Sequence, residues 1–292
     1  MKKLFVLSVF LLLSVLVFAQ GVTKNHQVPA FSGINAGGVF DITLTKSTVN
    51  SVTTTADEEI AKYIMVKVKD GVLHLDLDSK NMPAALKRNM KYIKANVTIS
   101  QLDRLFISGA AKLKSNGHFI TTTFKGDFSG AVIVDGLNIT SENSSIQVSG
   151  ASKLDIKGKS QSVKYDISGA SVVTIDHESG DLEIGGSGAS KMNFSGNAIR
   201  TEVSVSGATN VKMRGSSNTA KFEASGASVL DAEHFNVKDA EIEASGVCNI
   251  RTNVSGSISA ELSGGSSLLY SGSPVMKKVQ TSSQASIKRL NP

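Results

Sequence analysis

The stretch VSGASKLDIKGKSQSVKYDISGASVVTI, residues 148–175, holds two copies of one tripeptide, 19 residues apart. Ser-Gly-Ala or a close variant recurs nine times between residues 108 and 265. The glycines are Gly109, Gly130, Gly150, Gly169, Gly188, Gly207, Gly226, Gly246 and Gly264. The intervals are 21, 20, 19, 19, 19, 19, 20 and 18 residues. A unit this short cannot bury a core alone, so successive units must stack on one another.

Around each glycine the chain alternates. Two residues before it stand Ile107, Phe128, Val148, Ile167 and Val205, and four residues after it Leu113, Leu154, Val173, Met192 and Val211. The positions between are polar, among them Asp127, Asp166, Glu223, Glu243 and Glu261 on one side and Lys114, Asp155 and Asp231 on the other. Period-two alternation is the signature of half-buried strands. Each unit therefore reads as a strand, a corner at Ser-Gly-Ala, a second strand and a polar turn. Glycine suits the corner because it accepts backbone angles other residues resist. A second glycine often lies eight residues further on, at Gly117, Gly158, Gly196 and Gly215.

An interval near 19 residues matches one circuit of a parallel β-helix. The expected fold is an all-β, single-stranded parallel β-helix, a solenoid of about 19–20 residues per coil with an irregular N-terminal cap. General handedness rules favour a right-handed coil. Leucine-rich repeats need an asparagine ladder and more leucine, and propeller blades need about twice the length. The nine serines from Ser108 to Ser263 that precede the glycines cannot all be nucleophiles, since a nucleophile needs its own base. They read as a stacked hydroxyl ladder that satisfies turn hydrogen bonds. Cys248 stands where other units carry serine and reads as a tolerated small residue.

The chain opens MKKLFVLSVFLLLSVLVFAQ, with Lys2 and Lys3 before an apolar run from Leu4 to Phe18 and a small residue, Ala19, at the end. This is the pattern of a secretory signal peptide over residues 1–19. The expected consequence is an exported protein in the periplasm, on the outer surface or secreted, with no transmembrane anchor after cleavage. Nucleic acid is an unsuitable partner for an exported chain with so few aromatic residues. Local basic clusters occur at Lys87, Arg88, Lys91 and Lys94 and at Lys277, Lys278, Lys288 and Arg289.

Residues 20–100 lack the tripeptide but keep the strand pattern, as in VFDITL (39–44), IMVKV (64–68), VLHLDL (72–77) and ANVTI (95–99). They read as a head and first coils, residues 101–275 as the regular repeats, and 276–292 as a polar tail. Phe31-Ser32-Gly33-Ile34-Asn35, followed by Val39-Phe40-Asp41-Ile42, resembles the "head GIN" segment of a family of exported bacterial proteins described as autotransporter adhesins. The strings ISGAAKL, VSGASKLDI and DISGASVVTI resemble the body of the same family, so the likeness covers roughly residues 28–275. The resemblance implies a β-helix and an adhesive role. After Gly264, 28 residues follow, fewer than a membrane barrel of eight or more strands requires, so no translocator is expected within this chain.

Catalytic chemistry finds little support. Asp166, Asp181 and Glu183 fall near one another on neighbouring units, and Glu223, Glu243 and Glu261 fall in one outward column. Stacked coils about 4.8 Å apart would bring the last three together, but glycosidase carboxylates prefer wider gaps. His177 and His234 share a column three coils apart, too far to share a metal. No metal site and no cofactor is expected. Lys112, Lys153 and Lys191 share a column three residues after the glycine with Ile133, Val172 and Val229, a mixed basic and apolar strip that is the candidate contact surface. The expected function is a non-catalytic exported β-helix that binds an envelope or extracellular ligand, such as a glycan or surface protein. The alternatives are a structural envelope spacer and a polysaccharide lyase or hydrolase.

Overall fold

The computed structural model describes residues 21–88, 90–282 and 284–290. The signal peptide expected over residues 1–19 lies outside them. The regular body is a parallel β-solenoid, and the whole structure forms about ten turns.

The N-terminal part lays down β1 (Val22–His26), β2 (Gly33–Gly38), β3 (Phe40–Lys46), β4 (Ser51–Ala56), α1 (Glu58–Ala61) and β5 (Ile64–Lys69). β6 (Val72–Leu77), α2 (Ala84–Arg88) and β7 (Ile93–Ile99) follow. The next coils are β8 (Arg104–Gly109) with β9 (Lys112–Asn116), then β10 (His118–Ile120) and β11 (Thr123–Gly130). From there each coil is one long bent strand: β12 (Ile133–Val148), β13 (Lys153–Ile167), β14 (Val172–Gly186), β15 (Lys191–Val205), β16 (Asn210–Ala224), β17 (Val229–Ala244) and β18 (Asn249–Leu262). β19 (Ser267–Gly272), β20 (Val275–Thr281) and β21 (Ser286–Arg289) end the chain.

Neighbouring coils pair in parallel register. Leu154 lies beside Val173, Ile156 beside Ile175 and Tyr165 beside Ile184, so like positions stack into inward columns. Those columns form one continuous buried cluster from Phe31 to Leu268. The sequence pattern explains it directly: every second residue is apolar, and a strand sends alternate side chains to opposite faces.

The Ser-Gly-Ala corner is fixed by two constraints at once. At Gly169 φ is +77°, in the left-handed region. A Cβ there would also stand 2.3 Å from the carbonyl oxygen of Gly150 in the coil below. That same oxygen accepts a hydrogen bond from the Ala170 N–H at 2.8 Å. The corner thus carries the coil-to-coil hydrogen bonding through the turn, and only glycine leaves room for it.

The hydroxyl ladder lies elsewhere than expected. The residue two after each glycine points inward and is buried: Ser152, Ser171, Ser190, Thr209, Ser228 and Ser266. Ser171 donates to the Ser168 carbonyl at 3.1 Å, Ser190 to Ser187 at 2.9 Å and Thr209 to Ser206 at 2.7 Å. The serines before the glycines contribute those carbonyls, while their own hydroxyls make only long contacts, such as Ser168 to Val148 at 3.4 Å. Alternation decides this, since a position three residues along the chain falls on the opposite face. Cys248 occupies the inward column and contacts the Ser245 carbonyl at 3.1 Å. Cys248→Ser is therefore expected to change unfolding free energy by no more than about 1 kcal/mol, because the new hydroxyl inherits a ready acceptor. Denaturant titration of the variant checks it.

The head follows the repeat more closely than its sequence suggests. β2 pairs with β8 so that Gly38 lies under Gly109, and Gly37-Gly38 is itself a corner of the solenoid. β6 and β7 form a further layer beyond β2 and β3, both parallel to them. The chain then passes this layer to reach β8, so the coils are not stacked in sequence order here. Antiparallel β5 on one side, and β4 with β1 on the other, close the sheet edges. Such edges invite pairing with other chains unless covered or charged.

The segment 276–292, expected to be a polar tail, carries strand to residue 289. β20 pairs in parallel with β18, and β21 with β19. Its polar composition arises because this last coil is open to solvent, with every residue of β20 exposed.

Candidate functional site

Three residues after each corner glycine the side chain points outward. The register places Asp41, Lys112, Ile133, Lys153, Val172, Lys191, Asn210, Val229 and Asn249 in one unbroken column. Lys112, Lys153 and Lys191 are thus brought together, separated by Ile133 and Val172. The lysines recur every second rung, about 9.6 Å apart at the usual strand spacing. Ile133 is 45% exposed and Val172 40%, large fractions for such side chains. Among the described residues none of the three ammonium groups is in an ion pair.

The surroundings sharpen the strip. On the corner side lies a ridge of exposed methyl groups, Ala131, Ala151, Ala170, Ala189, Ala208 and Ala227. On the other side, two residues further along the strands, Lys114, Asp135 and Asp155 flank it. At its foot the Lys112 ammonium sits 4.5 Å from the centre of the Tyr92 ring, a cation–π contact. Tyr92 also borders a small cavity of about 190 Å³ lined by Thr55, Ala56, Ile60, Lys91 and Lys94. The sequence marks Lys91 and Lys94 only as part of a basic cluster. Nothing in it shows that the insertion between β3 and β8 folds back beside Lys112.

The acidic columns have a different character. Glu223, Glu243 and Glu261 do stack in register. Lys221 lies 2.5 Å from Glu223 and 3.4 Å from Glu243, and Lys278 pairs with Glu261. The hydrogen bond from Lys221 holds the Glu223 carboxyl below the usual range, and the pairing raises Lys221 in turn. A glycosidase acid needs the reverse, a carboxyl raised so that it stays protonated. Asp166 and Glu183 likewise share Lys164, and Asp181 makes two hydrogen bonds to Arg200 at 2.7 and 2.9 Å. A shallow groove of about 530 Å³ is lined by Asp181, Glu183, Arg200 and Lys221 from among these charges.

One polar cluster escapes a sequence reading. Tyr165 and His177 are both buried, and the Tyr165 hydroxyl lies 2.9 Å from His177 Nδ1. His177 Nε2 lies 3.0 Å from Ser160 Oγ, which continues to Ser141 at 3.0 Å and Ser144. The position beside His177 in the previous coil is Gly158, where a Cβ would stand 2.7 Å from the imidazole. The ring enters the core only because that neighbour has no side chain. Burial pushes the His177 pKa down to about 4 and the Tyr165 hydroxyl up. The two histidines do not share a column as their spacing suggests: an extra residue in β17 sets His234 beside Arg214, facing solvent, while the column of His177 runs through Gly196 and Gly215 to Phe235. The cluster is satisfied internally and sealed from solvent, which suits packing rather than chemistry.

A family described as "Putative auto-transporter adhesin, head GIN domain" matches residues 30–177 and 172–274. The chain belongs to this family. Together the two matches run through the strip, the corners and the buried cluster. No curated protein matches the chain. Among solved structures, a putative adhesin from Parabacteroides merdae ATCC 43184 is similar over 94% of this chain and 98% of its own, at 14% identity and a TM-score of 0.49. A putative lipid binding protein from Parabacteroides distasonis ATCC 8503 gives 94% and 98% coverage, 15% identity and a TM-score of 0.48. A putative adhesin from Bacteroides fragilis NCTC 9343 gives 92% and 96%, 20% identity and 0.36. Among the described residues no helix of this head GIN protein is long and apolar enough to cross a membrane.

Proposed function

We propose that this head GIN protein is an exported, non-catalytic binding module that holds an extended ligand, a glycan or a surface protein, along the column Lys112–Ile133–Lys153–Val172–Lys191. The observation that carries the reading is the alternation itself: ammonium groups with no ion-pair partner among the described residues at every second rung, with exposed apolar side chains between them. Paired surface charges are already satisfied, as at Lys221 and Arg200, and offer little to a partner. Among the described residues the strip lysines have no carboxylate partner, so a ligand anion or hydroxyl gains a charge-assisted hydrogen bond there without breaking one. Repetition along the axis then adds weak contacts within one ligand, which multiplies affinity.

An array of bacterial and host glycans and matrix proteins, incubated with the purified chain from residue 20 onward, tests the reading. Both retention and released fragments are read. Saturable retention without fragments is the expected result. Fragment release would establish a lyase or hydrolase instead, and silence in both channels would favour a structural spacer.

A further inference from the structure

The two ends of the solenoid are finished differently. At the N-terminal end, edge strands and α1 close over the core, and Ile60 of that helix is buried. At the other end the inward columns simply run out. Met276 stacks on Ile258, Val279 on Ala260 and Ile287 on Leu268, so all three occupy core positions of the last coil. Yet Met276 is 37% exposed and Val279 45%. Among the described residues no further rung lies over them.

The rim of this end is basic. Lys277, Lys278, Lys288 and Arg289 surround it, and the sequence holds no Asp or Glu after Glu261. Lys278 pairs with Glu261, while the other three have no carboxylate partner among the described residues. A second copy is a poor cover. The edge strands at its N-terminal end carry Lys24, Lys67 and Lys69, and although α1 adds Glu58 and Glu59, residues 21–100 hold ten Lys and Arg against seven Asp and Glu; two C-terminal ends would oppose like charges. What remains is a flat end of a prism, apolar at the centre and cationic at the edge. That pattern matches an anionic lipid surface, with apolar groups entering the acyl boundary and cations among the headgroups.

We propose that the C-terminal end of the solenoid docks end-on onto anionic lipid membranes through Met276, Val279 and Ile287 and the cations Lys277, Lys288 and Arg289. The surface is separate from the lysine column and does not rest on it.

Co-sedimentation of the chain with vesicles of phosphatidylglycerol and phosphatidylcholine, against phosphatidylcholine alone, tests the proposal at low and high salt. Binding to the anionic vesicles only, weakened by salt, is expected. Changing Lys277, Lys288 and Arg289 together to Gln should lower it by about 100-fold, roughly fivefold per cation. Met276→Asp with Val279→Asp should abolish it while a thermal melt confirms folding, since both side chains are already solvent-exposed. A variant with Lys112, Lys153 and Lys191 changed to Ala should bind the vesicles as the parent does. Absent binding, or binding indifferent to both end variants, would overturn the proposal. So would concentration-dependent dimers that Met276→Asp dissolves, since a second copy would then be the cover.

Discussion

Gly215→Ala should cost about 4 kcal/mol or more of stability, among the largest effects of any single methyl group in this chain. Gly215 lies at the second bend of its coil, eight residues after the corner glycine, with φ at +124°. A side chain is strained there before any neighbour is considered, by about 1–3 kcal/mol. The neighbour adds more: a Cβ would stand 1.8 Å from the carbonyl oxygen of Gly196, one coil below. Relief requires β15 and β16 to separate, and in a stacked fold that exposes the core on both sides. Ala208→Ser at an exposed corner is the control, with a change of no more than about 0.5 kcal/mol. Denaturant unfolding of the two variants measures both. A Gly215→Ala loss under 1 kcal/mol would contradict the close stacking of the bends.

The second large effect is a pH dependence that belongs to the buried imidazole. His177 has its folded pKa near 4, below the ordinary value of 6.5, because burial disfavours the charged ring. Between those values the unfolded chain binds a proton that the folded chain does not. Stability is therefore full above about pH 6.5, falls as the pH drops towards 4, and levels off below. The shift corresponds to about 3 kcal/mol. His26, lowered mainly by burial, contributes in the same direction. The depressed carboxylates, Asp103, Asp181 and Glu223 among them, lose their contribution only at lower pH, as they protonate below their unfolded values. Unfolding free energy measured from pH 7 to 4 should show the loss, and His177→Gln should remove most of it. An unchanged profile in the variant would place the imidazole in solvent.

The body of this fold is legible because each coil repeats the same constraints. The glycine column marks the corner, and alternation on both sides marks which side chains enter the core. Both signals are local, so spacing suffices to read them. The misses occur where the answer depends on a neighbouring coil. Gly37-Gly38 is a corner, but it lacks the serine and alanine, and the long insertion before β8 breaks the interval. The inward ladder at Ser152, Ser171 and Ser190 looks no different in sequence from the serines before the glycines until the corner's direction is known. Tyr165 sits in an apolar column, and His177 in one that runs from Phe119 and Ile139 through glycines to Phe235, which a count from the corner glycine does not reveal because register shifts offset the coils. Their meeting inside the coil depends on Gly158, in the adjacent coil. At the C-terminal end, the loss of apolar residues suggests a tail because composition falls with burial, although strand pairing continues to residue 289.

The same logic separates the candidate surface from the charged faces. An acidic column is visible in sequence, but whether it is available to a ligand depends on cations such as Lys221, which approaches carboxylates on two coils. The strip of Lys112, Lys153 and Lys191 is visible as a column, and the fold adds Tyr92 at its foot and the methyl ridge beside it. The most direct measurement is the affinity of the chain for the array ligand it retains most tightly, with the parent compared against the variant carrying Lys112→Ala, Lys153→Ala and Lys191→Ala. A loss of about tenfold or more is expected, equal to at least about 1.4 kcal/mol, with the thermal melt unchanged. An unchanged affinity would contradict it and move recognition off this column.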